Sequence, residues 1–264
     1  MPTPAIVACT PPCYREVEMT WLRRIRIALL IVLVGPLLMM AGSRVNMAAD
    51  WRSASRESAN IAPSPAVTRE AVVQVYGARA FGWRGLFAIH TWIAVKPEAA
   101  AAYTTYQVIG WRAFYGDSAL VIRDDLPDRH WFGSRPEVLA DLRGEAAVKA
   151  MVAIERAVRS YPYRDTYRTW PGPNSNTFTA YVGRAVSALG LDLPPTAIGK
   201  DFLPGGAILA RAPSGTGVQL SLFGLVGVLI AAEEGFEINL FGLGFGIDPK
   251  DMALRLPGLG KISL

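Results

Sequence analysis

Residues 170–178, WPGPNSNTF, constrain the fold of this chain more than any other stretch. Pro171-Gly172-Pro173 removes two backbone donors and cannot sit inside a helix or a central strand, so the chain must turn there. Asn174, Ser175, Asn176 and Thr177 follow, all good helix-capping residues, and the apolar spacing of residues 177–189 predicts an amphipathic helix. Ser175 therefore falls at or within one turn of a helix N-terminus. Unpaired N–H groups and the helix dipole favour negative charge at such a point, where a nucleophile is most easily ionised and an oxyanion most easily held. Capping alone also explains the run of polar residues.

Upstream, Arg23, Arg24 and Arg26 precede an apolar run over residues 27–42, the layout of an export signal. The run is about sixteen residues, between a cleaved signal core and a comfortable membrane span. The reading favours an uncleaved signal-anchor over residues 19–43, with cleavage near Ala41 or Ser43 as the alternative. Residues 1–18 lack periodicity and suggest a start codon assigned too far upstream. The arginines place the N-terminus in the cytoplasm, so the domain is expected on the periplasmic or extracytoplasmic side of the inner membrane, attached by a single pass. Residues 44–65 read as a polar, proline-marked linker. Residues 66–264 form a single domain.

Hydrophobic residues make up 51% of the chain, enough for one full core. Both cysteines, Cys9 and Cys13, precede the apolar run, so the domain can hold no disulfide or thiolate site. Of the two histidines, His90 and His130, neither stands at metal-ligand spacing, and a histidine site would need Asp124, Asp125 or Asp128 to complete it. No metal or cofactor is expected. The net charge of +5 comes from scattered arginines, a poor footprint for nucleic acid, which is excluded as a partner.

β-Branched and aromatic residues predict strands over residues 71–80, 86–95, 104–111 and 119–123 in an antiparallel meander. Helical spacing marks 136–142 and 145–160. After a Pro- and Gly-rich loop over 191–206, strands are expected at 207–211, 217–232 and 236–247, the last two forming a buried C-terminal hairpin, with one face toward lipid as the alternative; no internal repeat is evident. The fold class is α+β, an antiparallel sheet with helices packed on one side.

His90 lies in an alternating strand, with Ala88, Trp92 and Ala94 on its own face. HTWIAV followed by PNSNTF resembles circularly permuted papain-like proteins of the NlpC-type superfamily. The longer span with FGWRGLFAIHTWIAVKP and YPYRDTYRTWPGPNSNTF resembles a bacterial envelope family of unknown function. The papain-like resemblance implies His90 as general base, Ser175 in the place of the cysteine nucleophile, and an imidazole-orienting residue from the next strand, where Gln107 is the candidate and Tyr106 its neighbour. Serine needs fuller proton removal than cysteine, so the base matters more here. Asn174 and Asn176 could supply an oxyanion amide or simply cap the helix. Trp92, Tyr163 and Trp170 are candidate substrate-lining residues, against the alternative of an aromatic loop packed on the sheet. The expected function is an envelope hydrolase or acyltransferase acting on a peptide, amide or acyl bond, or else a catalytically silent module binding peptidoglycan, lipid, peptide or a protein partner.

Overall fold

The computed structural model describes residues 12–42 and 50–264. The first part of the proposed start-site segment, residues 1–11, lies outside them, as do Ser43 and residues 44–49 of the expected linker. Helix α1 (Pro12–Ala41) is followed by β1 (Val72–Arg79), β2 (Ile89–Lys96), β3 (Thr104–Val108), the short α2 (Gly110–Phe114), β4 (Leu120–Asp124) and β5 (Glu137–Arg143). The five strands form an antiparallel sheet in the order β4-β3-β2-β1-β5. Next come α3 (Gly144–Ser160) and α4 (Ser175–Ala185). Among the described residues no helix is long and apolar enough to cross a membrane.

β5 corrects the expected helix over 136–142. Glu137-Val-Leu-Ala-Asp-Leu-Arg is good helix-forming sequence, but the free edge of β1 recruits it, pairing Val73 with Leu142 and Val75 with Ala140. Tertiary pairing overrides local propensity here. The helices α3 and α4 cover one face of the sheet. Ala147, Ala150 and Ala157 let α3 approach closely, and Ile154 and Phe178 fill the layer against Val73, Val75, Ile93 and Val95. The opposite face carries Val72, Tyr76, Trp92 and Tyr103, covered by Ile61, Ala62 and Trp131. Asp128 fixes that cover: its carboxylate accepts from Ser58 Oγ at 2.7 Å and from the amides of Ile61 and Ala62 at 2.7 and 3.0 Å.

In place of a C-terminal hairpin there is a seven-stranded antiparallel sheet, ordered from β12 to β6 in sequence order. Its strands are β6 (Leu209–Arg211), β7 (Gly217–Leu222), β8 (Val226–Ala231), β9 (Gly235–Leu240), β10 (Leu243–Asp248), β11 (Ala253–Leu256) and β12 (Gly260–Ser263). Each long strand expected from sequence is itself a hairpin. The reversals fall at Phe223-Gly224 and Phe241-Gly242, where all four residues have positive φ, between 53° and 88°. Such turns ordinarily announce themselves by Asn-Gly or Asp-Gly. Here Phe takes the first place, and support comes from elsewhere: Asn239 Oδ1 accepts from the Gly242 amide and its Nδ2 donates to the Gly224 carbonyl, while Ser221 Oγ accepts from the Gly224 amide. The two turns share the sequence Leu-Phe-Gly-Leu at 222–225 and 240–243, an internal repeat that periodicity alone does not reveal.

The polarity of this sheet is reversed. Register places Val218, Ile230, Phe236, Ile247, Leu254 and Ile262 in one row on the outward face, and Leu209, Leu220, Val228, Ile238 and Phe245 in the next. The inward face instead carries Gln219, Ser221, Glu237, Asn239 and Arg255, all buried. Buried charge must be paired. Glu237 accordingly bridges Lys200 Nζ at 2.7 Å and Arg255 Nε at 2.8 Å, and Arg255 reaches Asp192 at 2.7 Å. Asp192, Asp248 and Asp251 converge at the end of this network, with the Lys261 ammonium bonded to all three, so a protein cation already occupies that cluster.

Candidate functional site

A cleft of about 1230 Å³ opens at the end of the five-stranded sheet where β2 begins and β3 ends. His90, Gln107, Asn174, Ser175, Asn176 and Trp170 all line it. The capping sequence behaves as its residue types dictate. Asn174 is the N-cap of α4, its Oδ1 accepting from the amides of Asn176 and Thr177 at 2.9 and 3.1 Å, while Thr177 Oγ1 accepts from the Asn174 amide at 3.1 Å. The Asn174 side-chain N–H₂ donates to the carbonyls of Thr169 and Ile198, that of Asn176 to those of Ile89 and Ile198. Both carboxamide donors are thus fully engaged inside the protein, tying α4 to β2 and to the 198 loop. The Ser175 hydroxyl has no hydrogen-bond partner among the described residues and stands on the cleft wall.

His90 and the start of α4 belong to opposite sides of β2. Side chains alternate along a strand, and Thr91 is the residue that meets α4, bonded to Asn176 Oδ1 at 3.0 Å and Thr179 Oγ1 at 2.9 Å. His90 lies on the other face. Its ring stacks on Trp131, with centroids 3.6 Å apart and planes 9° apart, inside a column continued by Trp111 beyond Trp131 and by Trp92 and Tyr76 behind. Nε2 lies 3.4 Å from Gln107 Oε1, so Gln107 is the polar partner that the next strand supplies, and the bond places the proton on Nε2, leaving Nδ1 as an acceptor. Burial pushes the imidazole down to about 3, against the weaker opposing effect of the Gln107 bond, and the ring is neutral at physiological pH. No hydrogen bond joins His90 to Ser175, although both line the cleft.

The remaining candidates separate. Trp92 is buried beneath the column, its indole N–H donating to the Pro127 carbonyl at 2.7 Å, and does not line the cleft. Tyr163 also lies away from it, edge-on to Tyr161 and Phe202, with its hydroxyl accepting from the Gly205 amide. Trp170 does line the wall, held by its indole N–H on the Phe241 carbonyl at 3.1 Å.

Most of the wall comes from residues that sequence reasoning passed over. Twelve of the wall residues occur in three short aromatic and basic stretches that end in, or are bracketed by, glycine: Phe81-Gly-Trp-Arg-Gly85, Gly110-Trp-Arg-Ala-Phe-Tyr-Gly116 and Arg129-His-Trp-Phe-Gly133. That recurrence of Trp or Phe beside Arg in loop contexts is the signal that could have found them. Arg56, Arg84, Arg112, Arg123 and Arg129 line the cleft, and no Asp or Glu does among the described residues. Arg56 lies over the Phe132 ring at 4.5 Å and Arg84 over Trp83 at 5.9 Å; neither has a carboxylate partner among the described residues. The other three are paired: Arg123 and Arg129 share Asp125 at 2.7 and 2.8 Å, and Arg112 meets Asp117 at 3.5 Å, although the buried Nε of Arg129 has no hydrogen-bond partner among the described residues. Cation–π contacts hold a guanidinium in place without neutralising it. The wall is therefore apolar, aromatic and positively charged.

No curated protein and no solved structure matches the chain. Residues 70–202, which contain the whole five-stranded sheet, α3, α4 and nearly all of the cleft wall, match the family model described as a protein of unknown function, DUF3750, and the chain belongs to that family.

Proposed function

We propose that this chain is a membrane-anchored envelope module whose cleft binds an anionic amphiphile, a lipid with a negatively charged headgroup, on the extracytoplasmic side of the inner membrane. The observation that carries this reading is the cleft wall itself, with its arginines, its aromatic rings and no carboxylate among the lining residues. Aromatic walls accept an acyl chain or other apolar body, and the two guanidinium groups without a carboxylate partner among the described residues, Arg56 and Arg84, select a phosphate or carboxylate head. The placement outside the cytoplasm rests on Arg23, Arg24 and Arg26 ahead of the apolar run. Purified protein titrated with dihexanoyl phosphatidylglycerol and, separately, dihexanoyl phosphatidylcholine, followed by tryptophan fluorescence, tests it. The anionic lipid should bind more tightly, and Arg84→Gln should weaken it roughly ten-fold, the equivalent of about 1.4 kcal/mol. Equal affinity for both lipids, or no effect of Arg84→Gln, overturns the reading.

A second reading, a papain-like hydrolase or acyltransferase of permuted strand order, is favoured by one observation: the His90–Gln107 bond leaves a neutral base in the same cleft as the unpartnered Ser175 hydroxyl. It requires a rearrangement that brings Nδ1 around the strand to Oγ, within the roughly 3 Å of a proton transfer. Labelling of Ser175 by a fluorophosphonate, lost in His90→Ala, supports it; absence of labelling with lipid binding intact leaves the binding module alone.

A further inference from the structure

The C-terminal sheet presents its apolar side to the outside. Val218, Leu220 and Leu222 on β7 are each at least half exposed, as is Ile230 on β8. With adjacent strands about 4.8 Å apart, seven strands make a face about 30 Å wide. With strands of up to six residues at about 3.3 Å each, the face covers on the order of 500 Å², at the upper end of the roughly 300–600 Å² of the largest apolar patch on an ordinary soluble monomer, and marks a surface that meets something else.

Two features say what that is. The first is continuity with α1. The Gly35-Pro36 step of this helix lies against the turn between β11 and β12, where a Cβ on Gly35 would stand 2.2 Å from the Pro257 carbonyl. Leu256, on the outward side of β11, shares an apolar groove with Ile27, Leu30 and Val34 of α1. The helix flank and the sheet face therefore form one apolar surface. The second is an end-to-end asymmetry. The turns at Phe223 and Phe241, 62% and 66% exposed, lie at the same end of the sheet as the β11–β12 turn that receives α1. The opposite end carries the Glu233–Lys250 pair and Asp251, with the exposed Met252 beside them. A partner protein would need no such gradient, whereas a bilayer does, with aromatic and aliphatic groups entering the headgroup boundary and charged turns staying in water.

We infer that the outward face of the C-terminal sheet rests on the lipid bilayer, its Phe223 and Phe241 turns inserted beside α1. The inference does not depend on what the cleft binds.

The test uses the full chain with Cys9→Ser and Cys13→Ser, which leaves no other thiol. Single cysteines are introduced by Ile230→Cys, Phe241→Cys and, on the exposed side of α3, Val152→Cys, each labelled with an environment-sensitive NBD group. Val218→Cys, in the same row as Ile230, replaces any variant that fails to fold. The proteins are reconstituted in vesicles of phosphatidylethanolamine and phosphatidylglycerol containing doxyl-labelled phosphatidylcholine. Labels on the sheet should be blue-shifted and quenched roughly two-fold, as expected for a site within about 10 Å of the headgroup boundary, and the α3 label should be unaffected. Repeating the measurement in vesicles of phosphatidylcholine alone should leave this pattern unchanged, which separates it from the anionic preference of the cleft. Water-exposed, unquenched labels at Ile230→Cys and Phe241→Cys overturn the inference. So does a sheet label that is shielded yet insensitive to doxyl lipid and released when the protein is diluted, which would assign the face to a second copy of the chain.

Discussion

Glu237→Gln tests whether the inward face of the C-terminal sheet is held by charge. Glu237, Lys200 and Arg255 are all almost wholly inaccessible, and one carboxylate serves both cations. Removing its charge does not affect the two partners equally. Arg255 keeps Asp192 at 2.7 Å and the Leu193 carbonyl at 2.6 Å, whereas Lys200 keeps one hydrogen bond, to the Leu193 carbonyl at 3.0 Å, and only the through-space attraction of Asp201 and Glu234. Breaking a buried pair by deleting one partner costs about 3–5 kcal/mol, because an uncompensated charge is left behind. In a domain of this size that is a fall in Tm of roughly 10 °C. Glu237→Gln combined with Lys200→Met should recover most of the loss, since the orphaned ammonium is then gone, so the pair should be strongly non-additive. Urea unfolding followed by tryptophan fluorescence measures all three variants, with Glu145→Gln, an exposed pair partner of Lys149, as the surface control expected to shift stability by less than about 1 kcal/mol. A Glu237→Gln protein as stable as this control, or a double variant that loses the sum of both single losses, would refute the argument.

The reversed polarity of the same sheet separates two leucines. Leu229, 2% exposed, points inward and Leu229→Asp should cost several kcal/mol, whereas Leu222, 50% exposed, should tolerate Asp with a loss below about 1 kcal/mol in detergent-solubilised protein by the same unfolding assay. Gly242 has φ +88° and a Cβ there would stand 2.9 Å from the Trp170 indole nitrogen, so Gly242→Ala should cost about 1–3 kcal/mol and alter Trp170 emission, read by thermal melts and fluorescence spectra. Because burial depresses His90 to about 3, its neutral form stabilises the fold fully above its ordinary value of 6.5, and that contribution is lost as pH falls through the folded value. Stability measured from pH 7 to pH 3 should therefore decline less steeply in His90→Phe than in the parent protein.

Four of the five strands of the first sheet were legible in the sequence because they are short, β-branched and bounded by Gly or Pro. What failed was any element decided at long range. β5 reads as a helix from Glu137, Leu139, Ala140, Leu142 and Arg143, and only the edge of β1, more than sixty residues earlier, makes it a strand. The C-terminal strands failed for another reason. An apolar stretch over 220–232 suggests a buried strand, since burial is the usual fate of such residues. Here the alternate polar residues, Gln219, Ser221, Glu237 and Asn239, take the interior, and Phe in the turns hides the reversals at Gly224 and Gly242. The clue present in the sequence was the repeated Leu-Phe-Gly-Leu.

The candidate site was half legible, and period two explains which half. Pro171-Gly172-Pro173 followed by Asn174 fixes a helix start, and HTWIAV fixes a strand; both appear where expected, and Gln107 meets His90 as the next strand requires. Whether a histidine in that strand can reach the helix is a question of parity. Thr91 bonds the first turn of α4, so Thr91 and every second residue from it face the helix, and His90 cannot do so while the pairing of Ala78 with His90 holds. A one-residue shift of β2 would turn the imidazole to the helical side, but it would also drive Trp92 out of its stack with Tyr76 and Ile93 out of the helical layer, both of which are buried. The register that forms the core is thus the register that puts the imidazole on the face opposite Thr91. What His90 gains on its own face is the Trp131 and Trp111 column, which turns a would-be catalytic strand into the floor of an aromatic, cationic cleft.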